Sequence, residues 1–217
     1  MESSPPPPNP VRKLRPWYLV AAMVLTWVIG VQGLATGFAQ ISYLRSGSVL
    51  TAQTLAPQVD QAEPMQYVAV AGEAARLRAM ADERRITFPL SVARLLLSGL
   101  LVVGSGLAMA GRPNARSLAL QALLANVALA LLEYTLTRPV RGAWIEAVVA
   151  AWAAVPGTIP ERDVFQNRDV WWWMWRLRLG VVDLGALGLA AFALTRPRST
   201  TFFEAAAHAH ASERGDE

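Results

Sequence analysis

The chain has 217 residues, of which 53% are hydrophobic and only 17% are charged, and its formal net charge is +4. Soluble domains usually carry about 25% charged residues, so this composition indicates a membrane protein. The absence of cysteine excludes disulfides, thiolate metal sites and cysteine nucleophiles, and the small net charge without a basic, aromatic-interleaved stripe argues against nucleic-acid binding.

The N-terminal segment begins MESSPPPPNP, a proline-rich stretch that favours extended polyproline II structure. Residues 1–16 are therefore expected to form a disordered arm. A basic cluster, Arg12, Lys13 and Arg15, precedes an apolar run over about 17–41. This run spans roughly 36 Å as a helix, enough to cross a bilayer and too long for the apolar part of a signal peptide. It predicts a retained first membrane helix.

The segment that follows, 45–87, is more polar. Its first part reads as a loop, whereas residues 65–85 are rich in alanine, arginine and glutamate, which favour helix. The sequence predicts an extramembrane helix here. Pro89 is expected to kink this helix or to start a new one.

Two further apolar runs, about 90–110 and 117–137, flank the short turn Gly111-Arg112-Pro113-Asn114 and predict an antiparallel pair of spans. Arg138-Pro139 is expected to end the second of them, because the residue before a proline disfavours the α conformation.

Residues 143–155 are apolar but too few to cross a bilayer. Trp144 and Trp152 favour a short interfacial helix, with a re-entrant segment as the alternative. A last run, about 173–195, begins within a tryptophan cluster and predicts the fourth span.

The sequence therefore predicts an all-α membrane protein. It would be a four-transmembrane-helix bundle over 17–198, with an extramembrane helical segment between helices 1 and 2 and a short interfacial helix between helices 3 and 4. Residues 199–217 would form a C-terminal cytoplasmic tail.

Orientation follows from the basic residues that flank the spans. Lys and Arg favour the cytoplasmic side, and the cluster before the first helix usually dominates. Both termini are therefore expected to be cytoplasmic. The arginine- and alanine-rich usage is typical of a GC-rich bacterial genome, so the bacterial inner membrane is the expected location.

Polar side chains occur in all four predicted spans, where charged groups are costly and suggest function. Counting at 1.5 Å per residue from the cytoplasmic flanks places them about 20–30 Å from that side, in the outer half of the bilayer. We expect one intramembrane cluster of Gln32, Arg94, Glu133, Arg176 and Asp183. Arg176 and Asp183 are seven apart and would share a helix face. The cluster is either a structural network of ion pairs or a polar site.

Helix packing is expected at three further residues. Gly33 and Gly37 have the GxxxG spacing that lets two helices approach closely. Asn126, near the middle of the third span, is expected to hydrogen-bond between helices.

No catalytic residues, cofactor or metal site are predicted. The only two histidines, His208 and His210, lie in the C-terminal tail and lack a third ligand. The first functional hypothesis is a non-enzymatic accessory, scaffold or assembly subunit that binds a protein partner or a second copy of itself in the lipid bilayer. A small channel or transporter component using the polar cluster is the alternative, and a lipid-modifying enzyme is a weaker one.

Overall fold

The computed structural model describes residues 15–47, 64–112, 114–155 and 162–215, and all regular elements in these ranges are helical. Nearly all of the predicted N-terminal arm and most of the predicted loop after the first span lie outside the described residues. The elements are α1 (Trp17–Ser46), α2 (Pro64–Asp82), α3 (Arg84–Met109), α4 (Ala115–Leu136), α5 (Arg138–Ala154), α6 (Arg162–Gln166), α7 (Arg168–Leu177), a π-helical stretch (Arg178–Gly185), α8 (Ala186–Thr195) and α9 (Pro197–Gly215).

Within the described ranges, four helices are long and apolar enough to cross a membrane, which confirms the predicted number of candidate spans. In each apolar window only 22–28% of the residues are buried within the protein, although a water-soluble bundle would bury such side chains. The apolar outer surfaces of these helices therefore indicate a membrane protein. The four spans are α1, α3, α4 and the continuous segment Arg168–Thr195.

Pro89 acts differently from the prediction. The helix break before the second span falls at Glu83, so Pro89 lies inside α3. Thr87 links the two helices across this break, since its hydroxyl lies 2.7 Å from the Met80 carbonyl oxygen of α2 and 3.1 Å from the carbonyl oxygen of Glu83.

The third span ends at Leu136, just before Arg138-Pro139, as predicted. Pro139 also lies in the first turn of the next helix, α5. Proline is favoured there because its missing N–H would have no helical partner and its φ is already helical. The predicted short helix consequently begins at Arg138, five residues earlier than expected.

The chain divides into two compact units, and the division falls within the four spans. Unit 1 comprises residues 1–34, 96–127 and 185–217, and unit 2 comprises residues 35–95 and 128–184.

Unit 1 has one apolar core to which all four spans and α9 contribute. The core is made mainly of leucine and alanine, and α9 adds two phenylalanines, Phe202 and Phe203. The predicted turn between α3 and α4 is confirmed, since Gly111 and Asn114 both have positive φ, near +67° and +62°. The buried residues of this core are Leu19, Met23, Leu101, Ala108, Ala115, Ala119, Ala122, Leu123, Leu187, Ala190, Leu194, Phe202 and Phe203.

Unit 2 is built around the pairing of α2 with α5. Val68 of α2 packs with Val148 and Trp152 of α5, and the ring of Phe165 stacks on Trp152 at 5.1 Å between centroids. The two helices approach closely at Gly72. A Cβ atom there would lie 2.7 Å from Val148 Cγ2 and 2.8 Å from Trp144 Nε1, so only glycine fits without movement.

The residues predicted to pack helices lie at such contacts. A Cβ atom on Gly33 would lie 2.2 Å from Ser98 Oγ, in unit 1, and one on Gly37 would lie 3.1 Å from the backbone nitrogen of Leu95, in unit 2. Asn126 Nδ2 donates to the carbonyl of Leu97 on α3 at 3.0 Å. All three therefore contact α3.

Candidate functional site

The charged pair of unit 2 joins the second and third spans. Arg94 Nη2 of α3 donates to Glu133 Oε2 of α4. The two side chains are only 29% and 18% exposed, so their ion pair is poorly screened by water. The structure thus brings together two of the five residues in the predicted cluster.

Asp183 of the fourth span lies near this pair. It interacts electrostatically with Arg178 and with Arg94. Among the described residues, however, no arginine is within ion-pair distance of Asp183. Its carboxylate is therefore part of the same polar region without being directly paired.

Because the fourth span is π-helical at Asp183, Arg178 rather than Arg176 lies on the same side of the helix as Asp183. Its hydrogen bonds join residues i and i+5, and such segments occur often at functional sites. Arg178 and Asp183 are five residues apart and come to the same side, where both line one cavity. Arg176, the residue named from α-helical spacing, is exposed and does not line it.

Gln32, the fifth residue of the predicted cluster, is exposed and belongs to unit 1. The other four residues of the predicted cluster belong to unit 2. In unit 2, α1 contributes a different polar residue, Gln40, which lies two turns after Gln32. It is buried, and the Ser91 hydroxyl of α3 donates to its Oε1 at 3.0 Å.

These groups surround one cavity of about 420 Å³ that lies wholly within unit 2. Such a volume is typical of small-molecule sites. Charged, hydroxyl, amide, aromatic and aliphatic side chains all contribute to its walls. The lining residues are Thr36, Gln40, Glu73, Arg76, Met80, Thr87, Leu90, Ser91, Arg94, Ala130, Glu133, Tyr134, Thr137, Val140, Arg141, Trp144, Trp175, Arg178, Leu179 and Asp183.

The α2 wall carries a second ion pair. Arg76 binds Glu73 in a bidentate manner, with Nε–Oε2 and Nη2–Oε1 distances of 2.8 and 2.6 Å. Both charges of this pair are therefore compensated locally.

Arg141 of α5 is the most buried charged residue of the cavity, at 6% exposure. Its guanidinium donates to Thr137 Oγ1 at 3.0 Å and to the Tyr134 carbonyl, and its carbon lies 4.1 Å from the centre of the Tyr134 ring. Its Nε is buried and has no hydrogen-bond partner in the part of the chain that the structure describes, and none of the described carboxylates is within ion-pair distance. Burial lowers the pKa of Arg141, although nearby Tyr134 and Glu133 oppose that shift.

The sequence analysis missed Arg141, but a signal for it exists. Arg141, Ile145, Val148 and Trp152 are spaced four, three and four residues apart, which places them on one helix face. All four are buried. An arginine that begins an otherwise apolar helix face therefore predicts a buried cation.

The charges of the lining do not cancel. Four arginines face three carboxylates, which leaves one excess positive charge. The groups alternate in sign from Arg178 through Asp183, Arg94 and Glu133 to Arg141, according to their electrostatic interactions. The cavity is therefore suited to a polar ligand with net negative charge.

A metal centre is not indicated in the part of the chain that the structure describes, where no three histidine, aspartate or glutamate residues are placed to hold an ion. The chain matches no protein-family model, and no similar protein was found among curated proteins or solved structures.

Proposed function

We propose that this chain is a non-enzymatic polytopic membrane protein that binds a small polar ligand in the cavity of unit 2, as a component of a channel or transporter. The observation that carries this proposal is the placement of Arg94, Glu133 and Asp183, from three different spans, around one 420 Å³ cavity. Polar groups inside a membrane protein usually mark such pathways or sites.

The unpaired charges favour a ligand site over a purely structural network. A buried charge is costly unless a partner compensates it. Asp183 and Arg141 both line the cavity, yet neither has an ion-pair partner among the described residues. A network that served only stability would be expected to pair them.

An accessory or scaffold role is the second candidate. The close α2–α5 contact at Gly72 supports it, because it gives unit 2 a firmly packed pair of helices. We propose that this pair lies outside the hydrocarbon core and is available to a protein partner or a second copy of the chain.

A lipid-modifying reaction is not proposed, because no specific observation favours it. Ser91 is the one serine among the lining residues, and its hydroxyl lies within hydrogen-bond distance of Gln40 Oε1 and the Thr87 carbonyl. Neither acceptor is a general base of the kind that activates a serine nucleophile.

We further propose that the protein resides in a bacterial inner membrane with both termini in the cytoplasm. The basic residues before α1 support this orientation. The cavity would then lie in the outer half of the bilayer. Labelling of a cysteine in the cavity from outside intact cells would test the orientation.

The proposed function predicts a bound small molecule. The protein would be purified from its membranes in mild detergent and extracted for mass spectrometry. Wild type should carry one molecule that is lost in Ala130→Phe, because the larger side chain projects into the cavity. Ala128→Phe should retain it, since Ala128 is exposed and does not line the cavity.

A second variant, Leu90→Trp, also fills the cavity and serves if Ala130→Phe does not fold. Each variant must match the wild-type gel-filtration profile. Recovery of stoichiometric partner proteins without a bound small molecule would favour the scaffold role and contradict ligand binding.

A further inference from the structure

We propose that the cavity binds the anionic phosphate group of an amphipathic phosphate ester, with Arg141 and Arg178 as its cationic partners. This inference rests on the proposed ligand-binding function and names the class of ligand. Its support comes from three features of the lining: the charge balance, the geometry of arginine and the apolar part of the wall.

The charge balance identifies the sign of the ligand. Arg76 is paired with Glu73, and Arg94 is paired with Glu133. Arg141 and Arg178 then remain against the single carboxylate of Asp183. A ligand with a net negative charge compensates the remaining positive charge, whereas a cation would add to it.

The chemistry of the free cations identifies the charged group. A guanidinium presents several N–H donors in a planar fork and matches the oxygens of a phosphate better than an ammonium does. Arg141 has a buried Nε without a partner among the described residues, and Arg178 has no described carboxylate within ion-pair distance. Both arginines line the same cavity, so their guanidinium groups can contribute donors to one phosphate bound there.

The rest of the lining indicates that the ligand also has an apolar part. Aliphatic and aromatic side chains make up much of the wall, and the rings of Trp144 and Trp175 meet edge to face at 5.8 Å. Leu90, Ala130 and Leu179 come from three different spans. Polar groups that fix orientation and an apolar wall that holds the remainder are typical of sites for amphipathic ligands.

The test compares probes on the full chain in non-ionic detergent. The unfolding temperature would be measured against phosphatidylglycerol, phosphatidylcholine with the same acyl chains, glycerol 3-phosphate, hexanoate and dodecyltrimethylammonium. Phosphatidylglycerol should raise the unfolding temperature more than phosphatidylcholine does. A response confined to the lipid identifies a lipid headgroup, whereas an equal response to glycerol 3-phosphate identifies a soluble phosphate ester.

Two neighbouring arginines supply matched variants. Arg178→Gln removes a cation that lines the cavity, and Arg176→Gln removes an exposed one that does not. Arg178→Gln should weaken phosphatidylglycerol binding about ten-fold, and Arg176→Gln by less than about two-fold, because charge-assisted hydrogen bonds act only at contact. Both side chains are exposed overall, so both variants should unfold at the wild-type temperature without ligand.

Equal responses to phosphatidylglycerol and phosphatidylcholine would overturn the inference, as would equal losses in the two variants. A hexanoate or dodecyltrimethylammonium response that depends on Arg178 would also overturn it, while the ligand-binding function would stand. If no probe binds and no molecule co-purifies with the wild-type chain, both the inference and the proposed function fail.

Discussion

Replacing Glu133 by leucine is expected to destabilise the folded protein by about 3 kcal/mol, because removal of one partner from a largely shielded, partly buried ion pair leaves the other charge uncompensated. Glu133 is the partner of Arg94 and its side chain is only 18% exposed. The double variant Arg94→Met/Glu133→Leu should recover most of this loss, since neither charge is then left alone. Unfolding in detergent, followed by circular dichroism, measures the difference of each variant from wild type.

The exposed pair Arg168–Glu146 provides the control, since its side chains are 59% and 64% exposed. Glu146→Leu is expected to cost less than about 1 kcal/mol, as is usual for surface ion pairs. A cost for Glu133→Leu no larger than that for Glu146→Leu would contradict the account of a poorly screened pair.

Replacing Gly72 by leucine is expected to force α2 away from α5. Even the first carbon of the new side chain would lie 2.7 Å from Val148 Cγ2 and 2.8 Å from Trp144 Nε1, and the further carbons need still more room. Overpacking of this kind costs about 1–3 kcal/mol when the neighbours can adjust. The cost should appear as a lower unfolding temperature and as faster proteolysis within α2 and α5.

Gly142 is a matched control on α5 itself. A Cβ atom there would meet nothing within 4 Å, so Gly142→Ala is expected to be neutral or to stabilise the helix by about 0.5–1 kcal/mol. Equal effects of Gly72→Ala and Gly142→Ala would show that the α2–α5 contact is looser than the structure has it.

The candidate spans could be predicted because hydropathy and length alone define them. Helix ends were less predictable where proline was involved. Arg138-Pro139 correctly predicts the end of the third span, but it does not predict that a new helix begins at Arg138 with Pro139 in its first turn. A local rule for proline does not distinguish the end of one helix from the start of the next.

The composition of the site was predictable only in part. Arg94, Glu133 and Asp183 were named from their depth along the spans, and all three line the cavity. Depth also places Arg176 in the cluster, and α-helical spacing puts it on the same face as Asp183, but in the π-helical stretch Arg178 lines the cavity instead. The sequence does not reveal such a change of helical period, because no single residue type requires it. Arg141 was missed because α5 was expected to begin after it.

Cysteine accessibility tests most directly the central claim, that a polar cavity in unit 2 lies behind the apolar surface of the spans. The chain has no cysteine of its own, so single variants are labelled without background. Ala130 lines the cavity, and Ala128, two residues before it on α4, is exposed on the apolar surface.

In native membranes, a small hydrophilic thiol reagent should label Ala130→Cys rapidly and Ala128→Cys hardly at all, because the reactive thiolate forms only where water is present. Unreactive Ala130→Cys, or equal labelling of both variants, would contradict the cavity and with it the proposed ligand site.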